Sequence, residues 1–526
     1  MTRRSKTRPV LALTIACLSI HHALAADESK LAATRITVTI DRGADVGQSF
    51  GSLFEARSAD GSLVIGAGFQ NAYNTRYRGD RHAVQFYIRP TDGERAVSTV
   101  ELPRPNQTFT GSYLFSRDGA IYSTYGGVKT WDAKSERWAD AAAAGGTHET
   151  MRLGSGFLSF GDSRVEYNQR SILEPPDKGS YQLFFYANGF LCFYHVRRND
   201  KPYRSYKSDD DGFSRLYACP WTPKQREVDL SSAVVMRLPV VGETTFAWGQ
   251  LGDQIVTGSN IGGFYVFENG KWKMLLEPNI GVSYQLYSTL AFHDRLLMGQ
   301  YPTGRVFEYD GEKIRDLQGW PPVLAGVSSS AREAQTTAIY GGDLIVGVWP
   351  WGEVWRYNAD SRRWVFVRRM FDHPQLSAKI THPYDVENRE NSPQNLWGQR
   401  VTSLVPHGPD LFVSTSAKAP FEWKPERYPF LARDKWKSYG KVYRVTMPGH
   451  LSASTKWTLG PTKLEFSIQG ERVTIHQDGD LLATTALTGR LANELGRPLK
   501  LKDIKWGRGV YGPHGCVSVR GETQTP

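Results

Sequence analysis

The chain has 526 residues, of which 40% are hydrophobic and 22% charged, and this composition excludes a disordered or fibrous protein. Its four cysteines are too few for a disulfide framework, and beyond the N-terminus no run approaches the ~18–20 consecutive apolar residues of a membrane span. The formal net charge of +11 indicates anionic partners.

The N-terminus has the form of an export signal. Four cations precede the apolar run VLALTIACLSI, and Ala23-Leu24-Ala25 fits a small-x-small cleavage site. We predict a cleaved signal peptide over residues 1–25 and a secreted or periplasmic protein, so an anionic glycan or cell surface is favoured over nucleic acid as the partner. A lipid anchor on Cys17 is the alternative, which the poor lipobox before it disfavours.

The first half of the mature chain reads as irregular groups of strands. RITVTIDRG opens it, and we expect this strand to pair with the last blade of a ring. A first blade is predicted for GSLFEARSADGSLVIGAGF with RHAVQFYIRPTDGERAVSTVEL, and GSYLFSRDGAIYSTYGGVKTWDAKSERW and ETMRLGSGFLSF each begin another. The hairpin YQLFFYANGFLCFYHV turns at Asn188-Gly189, a dipeptide favoured in tight turns.

From about residue 245 to 445 one cassette repeats four times, as in TTFAWGQLGDQIVTGSNIGGFYVFENGKW and TTAIYGGDLIVGVWPWGEVWRYNADSRRW. An all-strand repeat of roughly 40 to 50 residues is typical of a β-propeller blade. We therefore predict an all-β fold: a β-propeller over 26–450, with seven blades favoured and eight the alternative, and a small C-terminal β-rich extension over 451–526. The extension resembles half of a laminin-G or concanavalin-like sandwich.

The repeat also predicts which residues share one opening. A blade is an antiparallel meander, so the loop entering its first strand and the loop joining its second and third strands lie on the same face. The aspartates of the other turns are interpreted as turn formers: Asp253, Asp294, Asp343 and Asp410. The residues predicted to bind a substrate at the opening are Tyr284, Gln300, Arg332, Trp349, Trp351 and Arg400.

Arginine, histidine and tyrosine at one opening suit β-elimination from a uronic-acid chain. This reaction needs a group that neutralises the C6 carboxylate, a base for the C5 proton and an acid for the leaving oxygen. Arg197 is the predicted neutraliser, and His148 and Tyr181 are the predicted base and acid in either order. Tyr181 opens the first strand and Arg197 ends the second strand of one blade, which should bring them close.

The tract GSLFEARSADGSLVIGAGFQNAYNTRYRGDRHAVQFYIRP, the hairpin YQLFFYANGFLCFYHVRR and the later cassettes resemble the secreted seven-bladed β-propeller polysaccharide lyases, notably the ulvan lyases. The resemblance covers most of 35–450. It implies a His/Tyr pair with an arginine neutraliser, for which the histidine is His148 or His82, and in some members a structural metal. The protein is then expected to be a monomer that cleaves a uronic-acid-containing, optionally sulfated, polysaccharide without a required cofactor.

Two metal sites are weighed. Cys192 and Cys219 lie on strands expected to be neighbours, so they form a disulfide, remain free thiols, or bind Zn together with His195. The acidic run KSDDDGF is a candidate for Ca²⁺, but consecutive carboxylates lack the alternating spacing of an EF-hand loop, which favours a solvated turn.

Two other functions stay open from the sequence. A non-catalytic acidic-glycan-binding propeller needs only the arginines and tryptophans. A glycoside hydrolase needs a pair of carboxylates at the opening, for which the sequence offers Glu149, Glu243, Glu333 and Glu353.

Overall fold

The structure is a computed structural model that describes residues 33–69, 72–74, 77–107, 110–124, 126–141, 149–198, 203–325, 330–377, 382–389, 396, 398–418, 423–425, 431–495, 499–507 and 518–524. These residues form strands joined mostly by short turns, together with a few short helical segments. The prediction of an all-β propeller fold is confirmed.

Seven strands precede the first complete blade. They are β1 (Ala33–Asp41), β2 (Ser52–Ser58), β3 (Leu63–Phe69), β4 (Ala72–Asn74), β5 (Tyr77–Arg78), β6 (Ala83–Pro90) and β7 (Ser98–Leu102).

Over the described residues the propeller has seven blades, each built from four antiparallel strands that are numbered here from the inner strand outward. Blades 1 and 2 comprise β8 (Tyr113–Arg117), β9 (Ala120–Thr124), β10 (Lys129–Asp132) and β11 (Arg137–Asp140), then β12 (Thr150–Leu153), β13 (Gly156–Phe160), β14 (Val165–Tyr167) and β15 (Arg170–Leu173). Blade 3 comprises β16 (Ser180–Ala187), β17 (Phe190–Arg197), β19 (Phe213–Pro220) and β20 (Val234–Arg237), beside a short pair formed by β18 (Arg204–Ser205) and β21 (Val240–Val241).

Blades 4 to 7 follow the sequence repeat. Their strands are β22 (Thr245–Leu251), β23 (Gln254–Ser259), β24 (Phe264–Glu268) and β25 (Lys271–Leu276); β26 (Gln285–Phe292), β27 (Arg295–Tyr301), β28 (Val306–Tyr309) and β29 (Ile314–Asp316); β30 (Glu333–Tyr340), β31 (Asp343–Trp349), β32 (Glu353–Asn358) and β33 (Arg363–Arg369); and β34 (Arg400–His407), β35 (Asp410–Ser416) and β36 (Val442–Thr446). Helix α1 (Pro383–Arg389) lies between blades 6 and 7. The fourth strand of blade 7 is β7, whose Leu102 pairs with Val442, so an N-terminal strand closes the ring.

The two ends of the chain together build a β-sandwich. The C-terminal part supplies β37 (His450–Ser454), β38 (Thr462–Gln469), β39 (Arg472–Gln477), β40 (Asp480–Ala486), α2 (Gly489–Glu494), β41 (Leu501–Trp506) and β42 (Ser518–Gln524). The two sheets have the orders β40-β39-β38-β1-β42 and β37-β6-β3-β2-β41. Alternate residues such as Ile36, Val38, Phe54 and Phe466 are buried between them in one core.

This pairing corrects the predicted boundaries. The strand RITVTIDRG is β1 and pairs with β38 and β42, not with the last blade. The segment predicted as a first blade supplies β2, β3 and β6 of the sandwich, so the units do not divide at residue 450. Alternation of apolar and polar residues identifies a strand and its buried face, but it does not identify the partner strand.

The hairpin β4–β5 leaves the sandwich and enters the propeller. β4 pairs with the inner edge of β26, where Asn74 lies opposite Ser288 and Ala72 opposite Leu290. Asn74 also donates to the backbone carbonyl of Gln335 in blade 6. Because the inner strands line the centre of a propeller, this hairpin occupies the central channel.

The sandwich covers the face of the propeller that carries the turns between first and second strands, which we call the lower face. Gly154 of blade 2 donates to Asp45, Gly189 of blade 3 to the carbonyl of Val46, and Gly341 of blade 6 to His450. The opposite or upper face holds the loops on which the functional residues were predicted.

Asp343 departs from the turn-forming role predicted for the repeated aspartates. Its buried carboxylate lies 2.8 Å from Arg356, 3.5 Å from Arg95 and 3.9 Å from Arg89. Arg89 belongs to the sandwich strand β6, so this carboxylate joins the sandwich to blade 6. The equivalent Asp253 of blade 4 is exposed.

Candidate functional site

The loops of the upper face bridge neighbouring blades in a repeated way. Isolated parallel bridges join Ile261 to Tyr284, Thr303 to Arg332 and Trp351 to Gln399. Each joins the loop between the second and third strands of one blade to the loop entering the next. The two kinds of loop predicted to share one face are therefore in contact.

Tyr181 lies against His195 at the upper end of blade 3. Their ring centroids are 4.7 Å apart in an edge-on arrangement, and the Phe193 ring also contacts Tyr181, at 4.6 Å between centroids. The two residues are directly paired across β16 and β17 because the register shifts between Gln182 and Phe185. Tyr181 and His195 are only 5% and 7% exposed, and the Nδ1 atom of His195 is buried.

The protonation of the pair suits acid–base chemistry. Burial raises the pKa of Tyr181 to about 12, so the phenol is protonated at neutral pH. Burial also lowers the pKa of His195, so its imidazole is neutral there. The Lys178 carbonyl, which can only accept, lies 2.9 Å from Nε2, and this places the proton on Nε2. Nδ1, which has no hydrogen-bond partner among the described residues, is then the basic nitrogen.

Two arginines of blade 3, Arg197 and Arg215, lie near His195 on the same strand and on the next one. Arg215 is paired with His195 across the sheet, and its guanidinium contacts Asp209. Arg197, two residues beyond His195, has a side chain that is 34% exposed, and its Nη1 lies 3.2 Å from the Asp209 carbonyl and 3.5 Å from the Asp210 carboxylate. The strand thus presents an imidazole and a partly exposed guanidinium at the same end of one blade.

A chain of contacts extends this region to blade 5. Arg198 donates to the Thr244 hydroxyl, and Asn260 donates to the Tyr203 hydroxyl at 2.6 Å. The Tyr284 amide donates to the Asn260 carbonyl at 2.9 Å. Tyr284 also lines a cleft of about 910 Å³ between blades 4 and 5. We call the upper-face surface formed by Arg197, Arg198, Tyr203, Asn260 and Tyr284 the blade 3–5 rim.

The other predicted substrate-binding residues face the protein interior. Arg332 is buried with Glu353 at 3.0 Å, and Arg400 is buried with Glu333 at 3.4 Å. Gln300, Trp349 and Trp351 are each no more than 1% exposed. The topological argument located their loops on the upper face, but the two arginines pair with buried glutamates, and Trp349 packs on Tyr301 and His382. Of the six residues, Tyr284 is the one that lines a described cleft.

The remaining predicted site residues include two histidines and four carboxylates. His148 lies outside the described residues. His82 is buried 3.1 Å from Asp45, in the part of the sandwich that covers the lower face, whereas Tyr181 and Arg197 lie at the upper end of blade 3. Three of the four carboxylates considered for a hydrolase already have partners: Glu243 accepts from the Tyr265 hydroxyl at 2.7 Å, and Glu333 and Glu353 pair with arginines.

The zinc and disulfide predictions do not fit the strand register. Cys192 is opposite Ala218 and Cys219 is opposite Leu191, so the two thiols point to opposite faces of blade 3. Both are free and buried in different clusters, and burial raises the pKa of each thiol. His195 shares a face with Cys219 but pairs four residues away, with Arg215. In the part of the chain that the structure describes, no three His, Cys, Asp or Glu side chains are grouped for a metal.

For the acidic turn, the calcium alternative likewise has no grouped set of three His, Cys, Asp or Glu side chains among the described residues. The Asp209 carboxylate accepts from Tyr206 at 2.8 Å and contacts Arg215, and the Asp211 carboxylate accepts from Ser208 at 3.0 Å. Asp210 lies near Arg197 and Lys178. The acidic turn is therefore directed to donors of the protein itself.

The contact of His195 with Tyr181 was missed at the sequence level because the register shift could not be anticipated. A two-residue hairpin at Asn188-Gly189 continued without a shift would pair Tyr181 with Val196 and direct His195 to the other face. Equivalent shifts occur in the inner strands of blades 3 to 7. A β-bulge is thus a regular feature of these blades.

The fold is similar to several solved structures at low sequence identity. The extracellular domain of a putative one-component system from Bacteroides thetaiotaomicron is 12% identical with a TM-score of 0.36, over 60% of this chain and 39% of that one. The RRP9 WD40 repeats are 11% identical with a TM-score of 0.35, over 67% and 100% of the two chains. An auxiliary nutrient-binding protein from B. thetaiotaomicron is 9% identical with a TM-score of 0.27, over 77% and 99%.

The chain spans well under half the length of the first of these structures. No protein-family model matches the chain, and no curated protein is significantly similar to it. Among the described residues, no helix has the length and apolar character needed to cross a bilayer.

Proposed function

We propose that the protein is an exported polysaccharide lyase that cleaves a uronic-acid-containing polysaccharide by β-elimination. The observation that carries this proposal is the edge-on contact of Tyr181 and His195, with Arg197 at the end of the same strand. A neutral imidazole, a protonated phenol and a partly exposed guanidinium are the three groups that the reaction needs.

In the proposed reaction Arg197 binds the C6 carboxylate of the sugar, which makes the C5 proton more acidic. His195 Nδ1 removes this proton, and the electron pair forms the C4–C5 double bond as the C4–O bond breaks. The Tyr181 hydroxyl donates its proton to the departing oxygen. The imidazolium then loses its proton to water and the phenol regains one, so that the overall reaction adds no water to the sugar.

The blade 3–5 rim supports the choice of an anionic polysaccharide. Arg197 and Arg198 offer guanidinium groups, which form bidentate contacts with carboxylate or sulfate. Tyr203, which is 38% exposed, and Tyr284 lie farther along the same surface and offer aromatic contacts. In the proposal, sugars on one side of the cleaved bond lie along this rim.

The purified mature protein would be incubated with an array of uronate polysaccharides, both sulfated and unsulfated. We expect new unsaturated ends, detected by ultraviolet absorbance, in equal number to the new reducing ends. Reducing ends without unsaturation would mean hydrolysis and would contradict the proposal. The mass of the protein recovered from the periplasm or medium would test the predicted cleavage after Ala25.

A second candidate is binding of an acidic glycan without cleavage. The low exposure of Tyr181 and His195 favours it, because the rim residues Arg198 and Tyr203 reach solvent while the acid–base pair does not. Saturable binding of a polyuronate by the protein, with no new chain ends after prolonged incubation, would establish this alternative.

A further inference from the structure

We propose that Asp210 acts as an internal substitute for the ligand carboxylate, and that it sets the affinity of the blade 3 site for polyanions. The inference rests on the proposed function, since it concerns the arginine assigned to carboxylate binding. It adds a residue that determines specificity.

The turn that carries Asp210 is fixed against the end of β17. Arg197 donates to the Asp209 carbonyl, and Asp209 is itself held by Arg215 and Tyr206. Gly212 packs so closely on this strand end that a Cβ there would lie 2.6 Å from the Arg197 carbonyl, and its φ of +115° also favours glycine. The backbone of the turn is therefore anchored by residues other than Asp210.

The Asp210 side chain is arranged differently from that of Asp209. It is 85% exposed, yet its Oδ1 lies 3.5 Å from both Arg197 Nη1 and Lys178 Nζ. One carboxylate oxygen thus contacts both Lys178 and Arg197, and in the proposed function Arg197 is the residue that binds the ligand carboxylate. Exposed contacts of this length are weak, so an incoming polyanion can displace the side chain while Asp209 keeps the turn in place.

This arrangement has a consequence for selectivity. A ligand with a single weakly bound charge gains little by replacing Asp210, because one ion pair is exchanged for another. A polyuronate or sulfated chain also contacts Arg198 and the remainder of the rim, and so it gains contacts that Asp210 does not supply. The acidic turn therefore favours extended polyanions over isolated small anions.

The test compares Asp210→Asn with the control Asp211→Asn. The control removes the same charge one residue along the chain, from a carboxylate that accepts a hydrogen bond from Ser208. Binding of a polyuronate at low salt is measured by calorimetry, and Arg197 modification by phenylglyoxal is followed by peptide mass spectrometry. We expect Asp210→Asn to bind the polyuronate about two- to fivefold more tightly than Asp211→Asn. Its Arg197 should be modified faster by phenylglyoxal. The difference in affinity should disappear at high salt.

Equal affinities and equal labelling rates in the two variants would overturn the inference. The labelling measurement needs no glycan, so it separates this inference from the proposed function. Faster labelling in Asp210→Asn, with no polyuronate bound by any of the proteins, would contradict the proposed function and the role of Asp210 in selectivity. It would still establish the contact between Asp210 and Arg197.

Discussion

The Tyr181 ring meets the His195 imidazole edge-on at 4.7 Å, although an uninterrupted hairpin would direct the two side chains to opposite faces of blade 3. The register shift between Gln182 and Phe185 produces this contact, and Leu183 within the shift has a φ of +56°. A β-bulge of this kind re-aims side chains, and bulges are common beside active sites. Here it brings an imidazole ring against a phenol ring.

Removal of either member of this pair should abolish turnover while preserving binding. We expect Tyr181→Phe and His195→Gln each to lower kcat by about 10²–10⁴-fold, the range that general acid–base catalysis contributes. Polyuronate affinity should change by no more than about twofold, because the proposed binding contacts lie on the rim. Steady-state rates and calorimetry measure the two effects.

The matched control is Tyr122→Phe, a hydroxyl deletion on a blade 1 residue whose ring stacks on Phe115. It should retain full activity. Full activity in Tyr181→Phe as well would remove the chemical basis of the proposed lyase.

The pH dependence of kcat/KM should have its acid limb below the ordinary imidazole value of 6.5. His195 must be neutral to accept a proton, and its burial lowers its pKa, so the active form persists to lower pH than for a solvent-exposed histidine. Because the pKa of Tyr181 is about 12, its phenol stays protonated at neutral and mildly alkaline pH, and we expect no loss of activity there. Initial rates at constant ionic strength test both limbs, and an acid limb above 6.5 would exclude His195 as the base.

Asp343→Asn should be far more destabilising than Asp253→Asn, although the two aspartates occupy equivalent turns of the repeat. Loss of the Asp343 charge leaves Arg356 and Arg95 buried without their shared carboxylate, for an expected loss of about 3–5 kcal/mol in the free energy of unfolding. The exposed Asp253 should contribute about 0.5 kcal/mol or less.

Urea denaturation followed by tryptophan fluorescence measures the difference. Because Asp343 also joins the sandwich to blade 6, limited proteolysis should release the sandwich strands earlier in Asp343→Asn. Similar midpoints for both variants would show that the buried ion-pair cluster adds no more than an ordinary turn.

Tyr284→Ala and Trp349→Ala should separate ligand contact from structural packing. Tyr284 lines the open cleft, so its removal should weaken polyuronate binding by about fivefold or more with little change in stability. Trp349 is fully buried against Tyr301, and its removal should lower the free energy of unfolding by about 3–5 kcal/mol. Calorimetry and denaturation of both variants test this, and a stable Trp349→Ala with impaired binding would return that residue to the site.

Much of the architecture follows from the sequence alone. The repeat from about residue 245 to 445 predicts propeller blades because each copy carries the same alternation and the same turn signals. The direction of the strands within a blade also places the loops around Tyr181, Arg197 and Tyr284 on one face, since successive connections of a meander alternate between its ends. These features depend on residues that are close in the chain.

The tertiary structure decided the features that depend on distant residues or on local irregularity. β1, β2, β3 and β6 join C-terminal strands to form the sandwich, because an alternating strand pairs with whichever edge completes its apolar core. Arg332 and Arg400 are buried in ion pairs with Glu353 and Glu333, and Trp349 is buried against Tyr301 of the neighbouring blade. His195 faces Tyr181 because one bulge shifts the register by a residue, and a shift of one residue exchanges the two faces of a strand.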